Sequence, residues 1–385
     1  MRRCHTLRFA TLCCCAAFAC SSMAHAQLPA AIDPVRVAFP GGFTAPASAA
    51  SAAGALADRW LGEEPYANPA VRRAYALAAT PTFLHMSRQD LRSANRSFDE
   101  QAGVLRVVSG WGGAPLGPIQ WTAYLYQPVL RAENNSYLVG RGTAGGPSAG
   151  LTTETVAREI REGLAASFGA GPARIGIAGE WTHRADFYDI IEVSGSPDQG
   201  HRRASFSGGG FGGQLGARLS TGPQAHRVEI GAALRRVPEL ALSGTEIREL
   251  LSDSSSTPIA VRRASGWEGG VSARVAVSET FRATLGLGGR SEQAWQEFRV
   301  TSGAGSEWKL AGEYHDPAAP WSMRFGFGAE QQRDVAEAHA TVFGLGLGWT
   351  FQQAQLDFGW LHRTLRRTDL PHSYDDRWVA TLALR

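Results

Sequence analysis

From about Val104 to the end of the chain, apolar and polar residues alternate in short segments. In residues 321–330 the apolar side chains occupy every second position, and small or polar residues occupy the positions between them. A period of two is typical of a β-strand with two unlike faces. The same alternation recurs in residues 175–182, 227–235, 281–288, 343–350 and 356–363.

The length and charge of these segments indicate the solvent on each face. They run to about ten residues, near the length of a tilted membrane strand and about twice that of an average soluble strand. Charges lie in mid-strand on the face without apolar groups, at Glu229, Arg282, Arg324 and Asp357. Lipid on one face and a polar lumen on the other explain both observations. A soluble sandwich, with a second sheet against the apolar face, is the alternative.

We therefore predict an all-β fold, a transmembrane antiparallel β-barrel of about 14 strands. Only a closed barrel pairs every backbone group of its strands in lipid without helices. Tryptophans near the ends of the segments are expected to face outward in interfacial girdles, namely Trp111, Trp121, Trp267, Trp321 and Trp378.

One segment has the spacing of a helix. In residues 153–164 the apolar side chains of Val156, Ile160 and Leu164 recur every four residues. This spacing predicts a short amphipathic helix in a long loop or over the mouth of the barrel.

The first 26 residues predict export. Arg2, Arg3 and Arg8 precede an apolar stretch that ends at Cys20, and small residues at 24–26 suit cleavage. We expect residues 1–26 to be a signal peptide, with lipid modification of Cys20 as the alternative. Cleavage after residue 26 would leave no thiol or disulfide, because it removes all five cysteines, Cys4, Cys13, Cys14, Cys15 and Cys20.

Charge and hydropathy exclude further classes of protein. The signal peptide carries three basic residues, so 35 basic residues would face 35 acidic ones in the mature chain, and we expect no nucleic-acid partner. After residue 26 no apolar run approaches the roughly 20 residues of a spanning helix.

Two motifs resemble enzyme chemistry. Gly146-Pro147-Ser148-Ala149-Gly150 matches the pattern of a nucleophile elbow, but no doubly wound sheet is predicted around Ser148. Residues 140–145 match a dinucleotide fingerprint in a chain of 45 glycines, where a flexible loop is the better interpretation. The histidines lack the spacing of metal ligands. We therefore expect no enzyme activity, no metal and no cofactor.

The region around Asn68 resembles a known family. Residues 54–60 followed by Tyr66-Ala67-Asn68-Pro69-Ala70 are similar to the N-terminal stretch of the FadL-like long-chain fatty-acid transporters, in which an Asn-Pro-Ala motif follows a small-residue segment. Residues 308–314, 321–327 and 343–365 are also similar to that family. The resemblance covers most of the mature chain in layout.

The resemblance implies a 14-stranded barrel plugged by an N-terminal segment, the hatch. It places the hatch at residues 27–79 and the barrel at 80–385. Asn68 is expected to hydrogen-bond the backbone at a turn that Pro69 fixes. Pro128, within a segment otherwise typical of a strand, predicts a broken ladder bond or a bulge. Our hypothesis is that Pro128 creates a wall opening of the kind that this family uses for lateral exit, and an ordinary strand end is the alternative.

Our preferred hypothesis is a passive channel in the cell outer membrane of a Gram-negative bacterium, for small hydrophobic molecules such as long-chain fatty acids. The expected partners are outer-membrane lipid, a hydrophobic small-molecule ligand and the barrel-assembly machinery. A structural or secretion-associated barrel without transport of its own is the second hypothesis. A soluble periplasmic sandwich or serine hydrolase is the third.

Overall fold

A computed structural model describes most of the chain after residue 47. The described residues are 48–70, 75–81, 86–89, 105–139, 149–193, 200–223, 226–250, 253–295, 300–302, 304–332, 338–352, 354–367 and 373–384. Within these ranges two short helices precede 19 strands, which belong to one sheet.

The helices are α1, Ala49–Ala53, and a 3₁₀ helix, Arg59–Leu61. The strands, in chain order, are β1 Tyr75–Pro81, β2 Met86–Gln89, β3 Leu105–Leu116, β4 Ile119–Val139, β5 Ala149–Ala170, β6 Ala173–Val193, β7 Gly200–Thr221, β8 Val228–Val237, β9 Leu240–Leu250, β10 Asp253–Arg263, β11 Gly266–Ala276, β12 Phe281–Arg290, β13 Gln293–Trp295, β14 Val300–Ser302, β15 Gly305–His315, β16 Trp321–Gln332, β17 Ala338–Thr350, β18 Ala354–Arg367 and β19 Ser373–Leu384.

The strand pairings close a ring. β1 pairs with β3 on one side and with β19 on the other. Antiparallel pairings join the rest in the order β3, β4, β5, β6, β7, β8, β11, β12, β15, β16, β17, β18 and β19. Over the described residues, 14 strands therefore form a closed barrel. The predicted fold class is confirmed, and so is the predicted strand number.

The two ends of the barrel differ. At one end, tight turns join neighbouring strands, and Gly117 and Gly171 adopt positive φ angles there, of 61° and 58°. At the other end β4 to β7 extend to 21 or 22 residues. The first half of β7 pairs with β9, which pairs with β10, so these strands continue the wall beyond β8. We call these the short-turn end and the long-strand end.

The strand faces alternate as predicted. On β16, Met323, Phe325 and Phe327 point outward and are 46%, 43% and 47% exposed, whereas the inward Glu330 is 1% exposed. β8 is buried at every second residue along its length. Because large apolar groups cover the outside while polar groups are buried inside, the barrel has the surface pattern of a membrane barrel rather than of a soluble domain.

The predicted helix at residues 153–164 is wrong. These residues lie in the middle of β5, which pairs with β4 and β6 along its length. Leu164 faces outward, since it is 52% exposed between the better buried Gly163 and Ala165. A spacing of four residues keeps side chains on one face of a helix, but it is also two strand periods. The spacing alone therefore does not separate the two structures.

The expected boundary between hatch and barrel also needs correction. β1 begins at Tyr75 and already pairs with β3 and β19, so residues 75–79 belong to the wall and not to the hatch. The predicted signal peptide, all five cysteines, Ser148 and residues 140–145 lie outside the described residues.

Candidate functional site

The described part of the hatch, residues 48–70, lies inside the barrel. Its α1 helix packs against β17, β18 and β19, and its 3₁₀ helix packs against β8 and β11. Ala49, Ala52 and Ala55 form a buried cluster with wall residues Val342, Leu361 and Val379. Small side chains on α1 let the helix approach the wall closely, and this contact holds the hatch in the lumen.

Glycines on the inner face of successive strands leave room for the hatch backbone. A Cβ atom added to Gly231 would lie 1.9 Å from the Trp60 carbonyl oxygen, and one added to Gly359 would lie 2.1 Å from the Ala49 carbonyl oxygen. We call this set the glycine tier: Gly176, Gly216, Gly231, Gly270, Gly286, Gly326, Gly344, Gly346 and Gly359. On these strands the hatch therefore lies in close contact with the wall, through its backbone at most of the glycines and through the side chains of Trp60 and Ala53 at Gly270 and Gly346.

Charged residues lie on the short-turn side of the glycine tier. They line a cavity of about 410 Å³ that the hatch covers. Two ion pairs join hatch and wall there, Arg274 Nη2 with Asp58 Oδ2 at 3.5 Å and Arg218 Nη2 with Glu63 Oε1 at 3.4 Å. The wall residues of this short-turn tier are Arg218, Glu229, Arg274, Arg282, Glu313, Arg324 and Asp357.

A second charged tier lies on the long-strand side. Lys309 Nζ lies 2.7 Å from Glu307 Oε2 and 2.8 Å from Glu330 Oε1, and Arg59 of the hatch pairs with Glu268. This long-strand tier comprises Arg161, Glu180, Arg235, Glu268, Glu307, Lys309, Glu330 and Arg363. Separating one partner of a buried ion pair costs about 3–5 kcal/mol. A hydrophobic molecule moving along the barrel axis would meet two such tiers.

Asn68 ties the hatch to itself and to the wall. Its Oδ1 accepts a hydrogen bond from the Ala70 N–H at 2.9 Å, and its Nδ2 donates to the Trp60 carbonyl oxygen at 2.7 Å. Nδ2 also lies 3.1 Å from the carbonyl oxygen of Ala217 and 3.2 Å from that of Ala232, on β7 and β8. Asn68 is fully buried against Gly216 and contacts backbone groups.

A buried carboxylate holds the start of the hatch. Ser51 Oγ donates to Glu64 Oε1 at 2.7 Å, and the hydroxyl of Ser48, the N-cap of α1, donates to the same oxygen. Burial raises the pKa of Glu64, and the nearby Asp58 carboxylate raises it further, against the opposing effect of the hydroxyls. Burial also raises the pKa of Asp58.

The ladder between β4 and β5 is irregular at Gln127 and Pro128. Tyr126 pairs with Arg161, but Val129 pairs with Glu159, so β4 has one extra residue and forms a bulge. Gln127 and Pro128 are both buried, which breaks the alternation of faces. The sequence predicted either this bulge or a broken bond at Pro128.

β3 and β4 diverge at the same level. Their described pairing runs from Leu116 with Ile119 to Ser109 with Tyr126. Beyond this point β3 continues to Leu105 paired with β1, and β4 continues to Val139 paired with β5. The hydrogen-bonded wall between these two strands therefore ends next to the bulge, as far as the described residues show.

Aromatic side chains cover the inside of the wall beside the bulge. Tyr66 of the hatch stacks on Tyr126, with ring centroids 4.1 Å apart and an interplanar angle of 19°. It meets Trp111 and Tyr124 edge to face, at 6.2 Å and 6.5 Å. We call these four residues the aromatic cluster. Trp111 was predicted to lie in an outer girdle, and this is wrong because it pairs with the inward Tyr124 and faces the lumen.

Sequence reasoning missed Tyr66, Tyr124 and Tyr126. The two strand tyrosines alternate with exposed residues, since Trp121 and Leu125 are 38% and 36% exposed, so the signal for their inward position was present. Tyr66 lies in the hatch, and its contact depends on the path of the hatch inside the barrel. Among the described residues no group of three or more metal-binding side chains is assembled.

The fold and the plugged lumen define the class of protein, a 14-stranded barrel filled by its own N-terminal segment. Similar solved structures include two toluene transporters and a FadL homologue. The toluene transporter TbuX of Ralstonia pickettii is 13% identical, with 91% of this chain and 97% of that chain covered and a TM-score of 0.58. A FadL homologue of Pseudomonas aeruginosa is 11% identical, with 89% and 98% covered and a TM-score of 0.57. The toluene transporter TodX of P. putida is 8% identical, with 84% and 92% covered and a TM-score of 0.58.

These likenesses show the fold. The chain has the fold of FadL-type barrels, and the resemblance predicted from the residues around Asn68 is confirmed at that level. No protein-family model and no curated protein matches the sequence. No helix in the described ranges is long and apolar enough to cross a membrane.

Proposed function

We propose that this protein is a passive channel in the outer membrane, which admits small hydrophobic molecules and releases them sideways through the wall beside Pro128. Outer-membrane localisation is supported by the closed ring and its apolar outer face. The named functions of similar structures, toluene transporters and a FadL homologue, support a hydrophobic substrate and a protein without enzyme activity. Long-chain fatty acids and single-ring hydrocarbons are the substrate classes to compare.

The proposal rests on the difference between the groups that line the lumen along the barrel axis and those that line the wall at the bulge. Along the axis, the hatch lies between two tiers of paired charges, where a molecule without polar groups gains nothing and separates ion pairs. At the bulge the lumen is lined by aromatic rings, and the described pairing of β3 with β4 ends there. A hydrophobic molecule therefore meets aromatic rings at the level where the described pairing of β3 with β4 ends.

The test removes the bulge. Deletion of Gln127 combined with Pro128→Val restores the register of β4 with β5 and supplies the missing N–H group. The full-length protein is produced in a Gram-negative host that lacks its own FadL-type barrel. Entry of the fluorescent hydrophobe N-phenyl-1-naphthylamine is then measured in intact cells.

We expect the wild-type barrel to speed entry and the register-restored variant to reduce entry to that of the empty host. Pro258→Val is the matched control, because Pro258 is an exposed strand proline in β10, away from the bulge, and this variant keeps wild-type entry. Unchanged entry in the register-restored variant would contradict lateral release. Competition by oleate or by toluene then separates the two substrate classes.

A further inference from the structure

The hatch has two fixed points with a loop between them. At the first, Trp60 packs on Gly270, its carbonyl oxygen lies over Gly231, and its N–H donates to Ser272 Oγ at 3.3 Å. At the second, Asn68 lies over Gly216 and Pro69 over Gly176. A Cβ atom at any of these four glycines would collide with the hatch, so each fixed point occupies a space that exists because the wall residue is glycine.

Residues 62–67, which we call the Tyr66 loop, join these fixed points. Gly62 adopts a left-handed conformation with φ of 74°, and a Cβ atom there would lie 2.7 Å from the Ala70 carbonyl oxygen, just beyond the other end of the loop. The bond from Asn68 Nδ2 to the Trp60 carbonyl oxygen closes the base of the loop at 2.7 Å. Both ends of the loop are therefore held, a geometry that permits a local movement of the residues between them without displacing the hatch.

The Tyr66 loop carries one ring to the wall. Tyr66 is 2% exposed and its ring is surrounded by Trp111, Tyr124 and Tyr126. Tyr126, on which it stacks, is the last residue of β4 paired with β3, and the bulge begins at the next residue. The ring of Tyr66 thus covers the inner side of the place where the two strands diverge.

We propose that Tyr66 is the gate of the lateral passage, and that the Tyr66 loop, rather than the whole hatch, moves when a substrate leaves. The inference rests on the proposed function. The slot between Tyr126 and the edges of Trp111 and Tyr124 holds one planar ring, and a departing molecule takes the place of the Tyr66 ring there. The gate therefore favours molecules with a flat apolar part about as wide as one ring over branched ones.

The fixed points explain why the gate is local. Moving the whole hatch would lift its backbone out of the glycine tier and break its ion pairs in both charged tiers. Moving the Tyr66 loop breaks fewer contacts with the wall, namely the pairs of Glu63 with Arg218 and Arg274, at 3.4 Å and 3.7 Å, and the bond from Gln214 to the Ala67 carbonyl oxygen. Within the hatch it also loosens the bonds of Glu64 with the hydroxyls of Ser48 and Ser51. The contacts of Trp60 and Asn68 and the ion pair of Arg59 with Glu268 stay in place when the loop alone moves.

The test changes the size of the ring in the full-length protein. Tyr66→Ala opens the slot, Tyr66→Phe keeps the ring, and Tyr66→Trp overfills it. Entry of N-phenyl-1-naphthylamine into intact cells is compared at equal amounts of barrel, with folding checked by heat-modifiable migration on gels. Phe206→Ala is the matched control, because Phe206 is an equally buried inward ring on β7 outside the aromatic cluster.

We expect Tyr66→Ala to raise entry about 2- to 10-fold, the effect of one lost aromatic contact on an opening equilibrium. Tyr66→Phe keeps wild-type entry, and Tyr66→Trp falls below it. Ion conductance of Tyr66→Ala in planar bilayers stays at the wild-type level, because the hatch remains seated. A rise in conductance together with entry would overturn the local gate in favour of movement of the whole hatch.

Other outcomes separate the gate from the proposed function. If wild-type entry exceeds the background of the empty host but Tyr66→Ala matches the wild type, or if Phe206→Ala rises equally, the gate is overturned and the channel stands. Background entry in the wild type and in every variant would overturn both. Should Tyr66→Ala fail to fold, the opposed expectations for Tyr66→Phe and Tyr66→Trp still decide the question.

Discussion

The glycine tier makes a sharp prediction for Gly231→Ala. The added Cβ atom would lie 1.9 Å from the Trp60 carbonyl oxygen and 2.6 Å from Leu61 Cα. Ordinary contact begins at 3.4 Å, so the hatch backbone must retreat by about 1.5 Å at a point where Trp60 and Leu61 are buried. Overpacking of this kind costs about 1–3 kcal/mol.

That cost acts on the equilibrium between the seated and the displaced hatch. A change of about 1–3 kcal/mol raises the displaced population by roughly 5- to 150-fold. Two measurements report it in the purified full-length barrel: the frequency of conductance spikes in planar bilayers, and the rate at which trypsin cleaves after Arg59. Arg59 is 5% exposed while the hatch is seated, so cleavage requires its release.

Gly213→Ala is the control, because its Cβ atom would lie 3.6 Å from its nearest neighbour, the Ala178 carbonyl oxygen, in ordinary contact. This variant keeps the wild-type cleavage rate and conductance. If Gly231→Ala also matches the wild type in both measurements, the hatch does not depend on the glycine tier and the reasoning from steric room is refuted.

Three further predictions follow from other contacts. Asn68→Ala removes the bonds to Trp60 and Ala70 and leaves buried backbone groups without partners, which destabilises the seated hatch by about 1–3 kcal/mol. We therefore expect trypsin to cleave the hatch faster. An unchanged cleavage rate would contradict this role of Asn68. Burial raises the pKa of Glu64, so protonation stabilises the seated hatch at low pH, and this stability is lost as the pH rises through the raised pKa. Conductance spikes should therefore become more frequent from acidic to alkaline pH. Glu64→Gln, which cannot ionise, should flatten that trend. Phe325→Arg places a charge on the outer apolar face, at a cost of about 2–4 kcal/mol near the bilayer centre. The yield of heat-modifiable barrel in outer membranes should therefore fall. Ser205→Arg, on the exposed long-strand part of β7, should leave that yield unchanged.

The wall could be predicted from sequence because its signal is local. In β16 and β8 the apolar or polar character of each side chain predicts the face on which it lies, and the structure places those residues as the alternation predicts. Pro128 reports a ladder defect for the same reason, since it lacks the N–H group that a ladder needs. The failure at Val156, Ile160 and Leu164 arose where the spacing suits helix and strand equally.

The interior could not be predicted because its contacts are distant in sequence. Arg263 pairs with Glu159 across 104 residues, and Asn68 reaches Ala232 across 164. Such contacts depend on the order of strands around the ring and on the path of the hatch within it. The inward glycines were visible as small residues opposite apolar ones, but their purpose becomes clear only when a second backbone lies against them, as Trp60 does at Gly231.

The closed ring constrains how the molecule is assembled. β1 pairs with β19, and these are the first and last of the described strands; α1 packs against β17, β18 and β19. β1 and α1 therefore complete their contacts only after β17, β18 and β19 have been synthesised. Because closure of the barrel and docking of α1 both use β19, removal of β19 would weaken both together.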